Sequence, residues 1–97
     1  MNVLPIIEGL TDSNAPSDWA LWLMRCPLGI IHREQMTIRR ILQQRGFAAG
    51  VAYLDALLAY SNATRLPDGT FPARVVMPVH MAAGAMREAA RAAEGAE

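Results

Sequence analysis

The chain contains no lysine; all nine of its cationic side chains are arginine. Nine carboxylates match them, so the formal net charge is zero. That balance removes any global electrostatic drive towards nucleic acid or an anionic membrane. A single cysteine, Cys26, cannot close an internal disulfide, and nothing else points to an oxidising compartment. The apolar run from Trp19 to Ile31 is too short to span a bilayer and is interrupted by Arg25 and Pro27. The opening MNVLPIIEGL has no basic stretch ahead of its apolar residues and does not read as a signal peptide. The sequon Asn62-Ala63-Thr64 therefore carries no weight, and a soluble cytoplasmic protein is expected.

Recognisable chemistry is equally sparse. The glycines form neither a G-x-G-x-x-G turn nor a Walker A loop, which excludes nucleotide binding by a standard motif. One cysteine and two histidines cannot supply a structural zinc site, which takes four ligands. Cys26 and His32 are the only Cys–His combination close in sequence, but Cys26 falls on a tryptophan face and reads as a small buried hydrophobe. His80 reads as a packing or capping residue. The carboxylates are dispersed, without a local acid/base or metal-binding pair. No catalytic residue, metal or cofactor is assigned, and the chain is expected not to be an enzyme.

What the chain has in abundance is helix-forming apolar sequence. Of 97 residues, 53% are hydrophobic and 19% charged, a globular composition for one domain, residues 1–97. Seventeen alanines beside arginine-only cations suggest a GC-rich coding bias and a bacterial or phage origin. The expected fold is mainly α: a compact four-helix domain with an N-terminal arm and room for one short β-hairpin around residues 64–76. Residues 1–16 read as an extended arm and turn, because Pro5 breaks the apolar stretch and TDSNAPS is turn chemistry. Ser17 is a candidate N-cap for a first helix, DWALWLMRC. There Trp19, Trp22, Leu23 and Cys26 share one face at i, i+3, i+4 and i+7. A second helix runs from Ile30 or Glu34 to Arg45, closed by Gly46. At about 100° per residue, Ile30, Ile31, Ile38, Ile41 and Leu42 gather within about a third of its circumference.

The third helix, 47–63, carries Asp55 as its only charge. A carboxylate on so apolar a helix needs a partner, and an arginine of the second helix, Arg45 first, is the expected one. In RLPDGTFP, Pro67, Asp68 and Gly69 specify a turn. The last helix is expected over 78–94 with Pro78 at its first position, and 95–97 as a frayed tail. Its small-residue face of Ala82, Ala85, Ala89 and Ala92 or Ala93 makes it a candidate for self-association.

The segment HREQMTIRRILQQRG, 32–46, holds four of the nine arginines. His32, Arg33, Met36, Arg39 and Arg40 fall on one side of a helix, and Arg with Met suits a protein interface. Trp19 and Trp22 are candidate anchors, since Trp and Arg dominate binding hot spots. These residues mark a small interaction protein that binds and modulates a larger host protein or complex. The alternative is a regulator that binds a phosphate ligand, nucleotide or DNA, through Arg33, Arg39, Arg40, Arg65 and Arg74. A helix-turn-helix does not fit, because the helix after Gly46 begins FAAGVAYLDALL and offers no donor to bases or phosphates before Tyr53. A protein partner is thus favoured over nucleic acid, and no membrane is implicated.

Overall fold

A computed structural model of the protein describes residues 5–95. It contains α1 (Pro5–Asp12), α2 (Pro16–Arg25), α3 (Leu28–Arg33), α4 (Gln35–Gln44), α5 (Ala48–Asn62) and α6 (Ala73–Gly95). The fold is mainly α, with six helices and no strand among the described residues.

The apolar periodicities account for the packing. The longest contacts run along α5, which lies against α6 and α4 and also meets α2 and α3. From α2, Trp19, Ala20, Leu23 and Cys26 enter the core. Ile31, Ile38 and Leu42 are fully buried from α3 and α4, as are Leu54 of α5 and Met86 of α6. Trp19 meets Phe47 edge to face, with ring centroids 5.6 Å apart. Gly46 closes α4 as expected: its φ of +66° lets Gly46 N–H reach Gln43 O at 3.1 Å and Phe47 N–H reach Leu42 O at 3.0 Å. That is the paired C-terminal closure for which a left-handed residue is needed.

Five local expectations are corrected. The N-terminal arm is helical from Pro5; residues 1–4 lie outside the described ones. Proline fits a helix's first turn, where its missing N–H costs nothing, and helix formation buries Ile7 and Leu10 completely. Second, Ser17 is not the N-cap of α2. Pro16 opens that helix after Ala15, and Ser17 Oγ instead donates to Glu94 Oε1 at 2.8 Å, tying α2 to the far end of α6. Third, the expected second helix is broken at Glu34, whose φ of −106° and ψ of 16° separate α3 from α4. Gln35 Nε2 donates to the His32 carbonyl at 3.1 Å beside the break.

Fourth, the PDG turn forms but no hairpin follows. Gly69 N–H bonds Leu66 O at 2.8 Å and Leu66 N–H bonds Thr70 O at 2.7 Å, with Gly69 at φ +87°. Pro72 then offers no ladder donor, and its carbonyl accepts from Val75 and Val76 to start a helix. Fifth, that helix is α6, so Pro78 is an interior residue rather than its first. The proline forgoes a bond to the Arg74 carbonyl, while the earlier start buries Val75. Ala82 and Ala89 of the small-residue face pack on the core; Ala85, Ala92 and Ala93 are exposed. Gly95, expected in the frayed tail, ends α6, and 96–97 are outside the described residues.

Candidate interaction surface

The arginine-rich segment divides into side chains used by the fold and side chains left in solvent. His32 is used: its Nε2 lies 2.5 Å from Ser61 Oγ on α5. Ser61 Oγ also lies 3.1 Å from Leu58 O on its own helix, so the hydroxyl bridges the His32 ring and the α5 backbone. Arg39 is used as well, with Nη2 2.5 Å from Asp55 Oδ1. That bond, more than the accompanying charge attraction, holds the Arg39 guanidinium protonated even more firmly than usual. Asp55 therefore does find its arginine on the second helical segment, but the residue is Arg39 and not Arg45, and Asp55 lies at the surface rather than buried.

Arg45 is engaged elsewhere. Its Nη1 donates to Leu10 O at 2.8 Å and Ser13 O at 2.7 Å, and Nη2 donates to Thr11 O. The guanidinium lies 5.1 Å from the Trp19 ring centre. One arginine thus closes the carbonyl end of α1, where a cation is favoured by the helix dipole. The two tryptophans serve the same junction. Trp19 Nε1 donates to Ser13 O at 2.9 Å, and Trp22 Nε1 donates to Ile6 O at 2.8 Å. Trp19 is buried and Trp22 half-buried, so their rings hold α1 to α2 and do not project as anchors.

Three members of the expected surface remain outward on α3 and α4. Met36 is 68% exposed, the Arg33 side chain is 66% exposed, and Arg40 is exposed one turn beyond Met36. Arg33 Nε is 3.9 Å from Glu34 Oε2, too long for a hydrogen bond. The result is a methionine between two guanidinium groups. The arginines of the phosphate reading are spread over α3, α4, the α5–α6 turn and α6. Arg39 is tied to Asp55, and Arg65 stacks over Phe71 at 4.9 Å. Arg74 occupies the first turn of α6, where the helix dipole adds nothing to a cation.

Two further surfaces were not assigned from the sequence. A cleft of about 320 Å³ lies between α2 and α6, floored by Ala20, Leu21, Met24 and Ala90 and rimmed by Arg87 and Arg91. In the sequence, the signal for it is that Leu21 and Met24 of α2 fall off the Trp19–Trp22–Leu23–Cys26 face. On α6, Met77 and Met81 project into solvent one turn apart. Pro78, taken as a helix start, left Met77 outside the expected helix and so hid that the two methionines share a face.

The described residues hold no group of three or more His, Cys, Asp or Glu placed to bind a metal ion. Burial pushes the Cys26 thiol up to about 11, so it stays protonated at neutral pH. His32 is bonded to Ser61 and forms neither a bonded pair nor a metal-binding group with Cys26. No helix of the described residues is long and apolar enough to cross a membrane. These features define a small mainly helical domain with an arginine- and methionine-bearing outer face. No protein-family model, curated protein or solved structure matches the chain.

Proposed function

We propose that this is a non-enzymatic interaction protein that binds and modulates a larger protein through Arg33, Met36 and Arg40. The observation that supports this reading is Met36, 68% exposed one turn from two exposed arginines, of which Arg33 makes a long 3.9 Å ion pair with Glu34. So exposed a methionine buries little of its surface in the isolated chain, and its flexible thioether adapts to an apolar pocket on a partner. The flanking guanidinium groups are suited to carboxylates at the rim of such a pocket. The partner is thus a protein surface with an apolar depression edged by Asp or Glu. His32, Arg39, Trp19 and Trp22 act behind this surface by fixing α1, α4 and α5 in place.

The test is a quantitative comparison of proteins captured from the native host by wild type, Met36→Asp and Arg33→Glu/Arg40→Glu. The expected result is one partner retained by wild type and lost by both variants, with helical circular dichroism unchanged. Identical capture by all three would overturn the reading. Capture of nucleic acid that collapses as salt rises would replace it with the phosphate reading, since counterion release makes phosphate contacts steeply salt-dependent.

A further inference from the structure

We propose that the outer face of α6 binds a second copy of the chain, helix against antiparallel helix, with Met81 on the two-fold axis. This surface is separate from the Arg33–Met36–Arg40 face and does not depend on it.

α6 uses one side for its own fold. Val75, Met86 and Ala90 are buried, and Val79, Ala82, Ala83 and Ala89 pack against the core. The opposite side carries Arg74, Met77, Met81, Gly84 and Glu88, spaced by three and four residues in alternation. That is the seam spacing of helices that pack along their length. Met77 is 59% and Met81 69% exposed, among the most exposed large apolar side chains described.

Reversed about Met81, the two ends of this seam exchange, while Met77 and Gly84 fall opposite residues beside it. Placing Met81 against Met81 of a second, antiparallel copy sets Met77 opposite Ala85 and Pro78 opposite Gly84. It also sets Arg74 opposite Glu88, twice by symmetry, so that Glu88, which pairs with Arg91 on its own helix, would be shared between the two arginines. Away from the axis, where Met81 meets its copy, larger side chains meet smaller ones, and each end closes with opposite charges. A two-fold interface requires such self-complementarity, which a random surface seam does not supply.

Gly84 is the second, independent observation. Glycine is among the weakest helix formers, yet it stands inside a 23-residue helix. A Cβ added there would meet nothing within 4 Å, so packing inside the chain does not call for it. Close approach of an external backbone does, and the antiparallel register places Pro78 of the second copy there.

Sedimentation equilibrium on the full chain over a concentration series tests the proposal. Wild type is expected to show a reversible monomer–dimer equilibrium. Met81→Glu, which sets two carboxylates face to face on the axis, should weaken association by an order of magnitude or more. In an Arg91→Gln background, which removes the partner of Glu88 on its own helix, Arg74→Glu and Glu88→Arg should each weaken it, and the two together should restore it, because the swap re-forms both opposite-charge contacts. Gly84→Gln should raise the melting temperature of the dilute monomer while weakening the dimer. A strict monomer at the highest soluble concentration overturns the proposal. A dimer indifferent to Met81→Glu, or a double variant no better than its singles, overturns it equally.

Discussion

Cys26 and Tyr53 lie in the core as neutral groups, and burial raises the pKa of both. A group whose folded pKa is raised stabilises the fold fully below its unfolded value. That contribution is lost as pH climbs from the thiol's ordinary 9.0 towards about 11. Stability should therefore hold through neutral pH and fall in alkali, by at most about 3 kcal/mol for the thiol. Urea titrations at increasing pH check this, and Cys26→Ala should remove part of the alkaline loss while Tyr53 keeps the rest. A thiol reagent at neutral pH should label native Cys26 slowly and unfolded chain fast; equal rates would contradict the burial. Arg45 gives a second expectation at this scale. Removing it in Arg45→Met takes a donor from three carbonyls at the end of α1; Trp19 still serves Ser13 O and the Ser13 N–H still serves Leu10 O, so the loss should be about 1 kcal/mol in urea unfolding. Arg45→Lys should recover little, because an ammonium cannot reproduce the planar fork. The sequence placed an arginine opposite Asp55 but not the right one. Arg39 and Arg45 lie on the same amphipathic segment, and what separates them is α1, whose helical form Pro5 concealed.

The meeting of α5 with α2 depends on Gly50. A Cβ there would lie 2.6 Å from the Phe47 ring and 3.3 Å from Leu23 Cδ1. Ordinarily Gly→Ala inside a helix gains up to about 1 kcal/mol. Here the ring is held against Trp19 and cannot swing away freely, so overpacking of about 1–3 kcal/mol outweighs the gain. We expect Gly50→Ala to lower stability by about 1 kcal/mol in chemical denaturation, whereas Gly84→Ala, with open space around it, should raise it. These elements also show what was legible. α4, α5 and the inward faces of α2 and α4 follow from periodicities of three and four residues, and the Gly46 closure from its glycine. The prolines misled because each has two readings. Pro5 and Pro16 begin helices, Pro72 precedes one, and Pro78 lies within one, and only tertiary burial of Ile7, Leu10 and Val75 decides between them. The outward set of Arg33, Met36 and Arg40 was legible as part of a larger patch. Its inner members could not be separated from it, because Ser61 and Asp55 are distant in sequence and approach only when α5 folds back along α3 and α4.

At the scale of the molecule, the Cα trace measures 47 × 35 × 17 Å, about two layers of helices thick. A slab so thin has a large surface for its volume, and Leu21, Met24, Met36, Met77 and Met81 are among the apolar side chains it leaves exposed. No charged side chain is buried among the described residues, and their ion pairs, Arg33–Glu34, Arg39–Asp55 and Arg91–Glu88, all reach solvent. Pairs of this kind contribute between nothing and about 1 kcal/mol each, and salt screens them further. Folding therefore rests on apolar burial, and stability and recognition should respond to different variables. Raising salt from low to physiological should move the unfolding free energy by less than about 0.5 kcal/mol. Arg33→Glu/Arg40→Glu should alter it by a similarly small amount, since exposed substitutions away from packed contacts stay within roughly 0.5 kcal/mol. Denaturant titrations at both salt levels measure these quantities directly. A fold that weakens steeply with salt, or collapses on reversing Arg33 and Arg40, would mean that these guanidinium groups hold the domain together. They would then not be free to meet a partner.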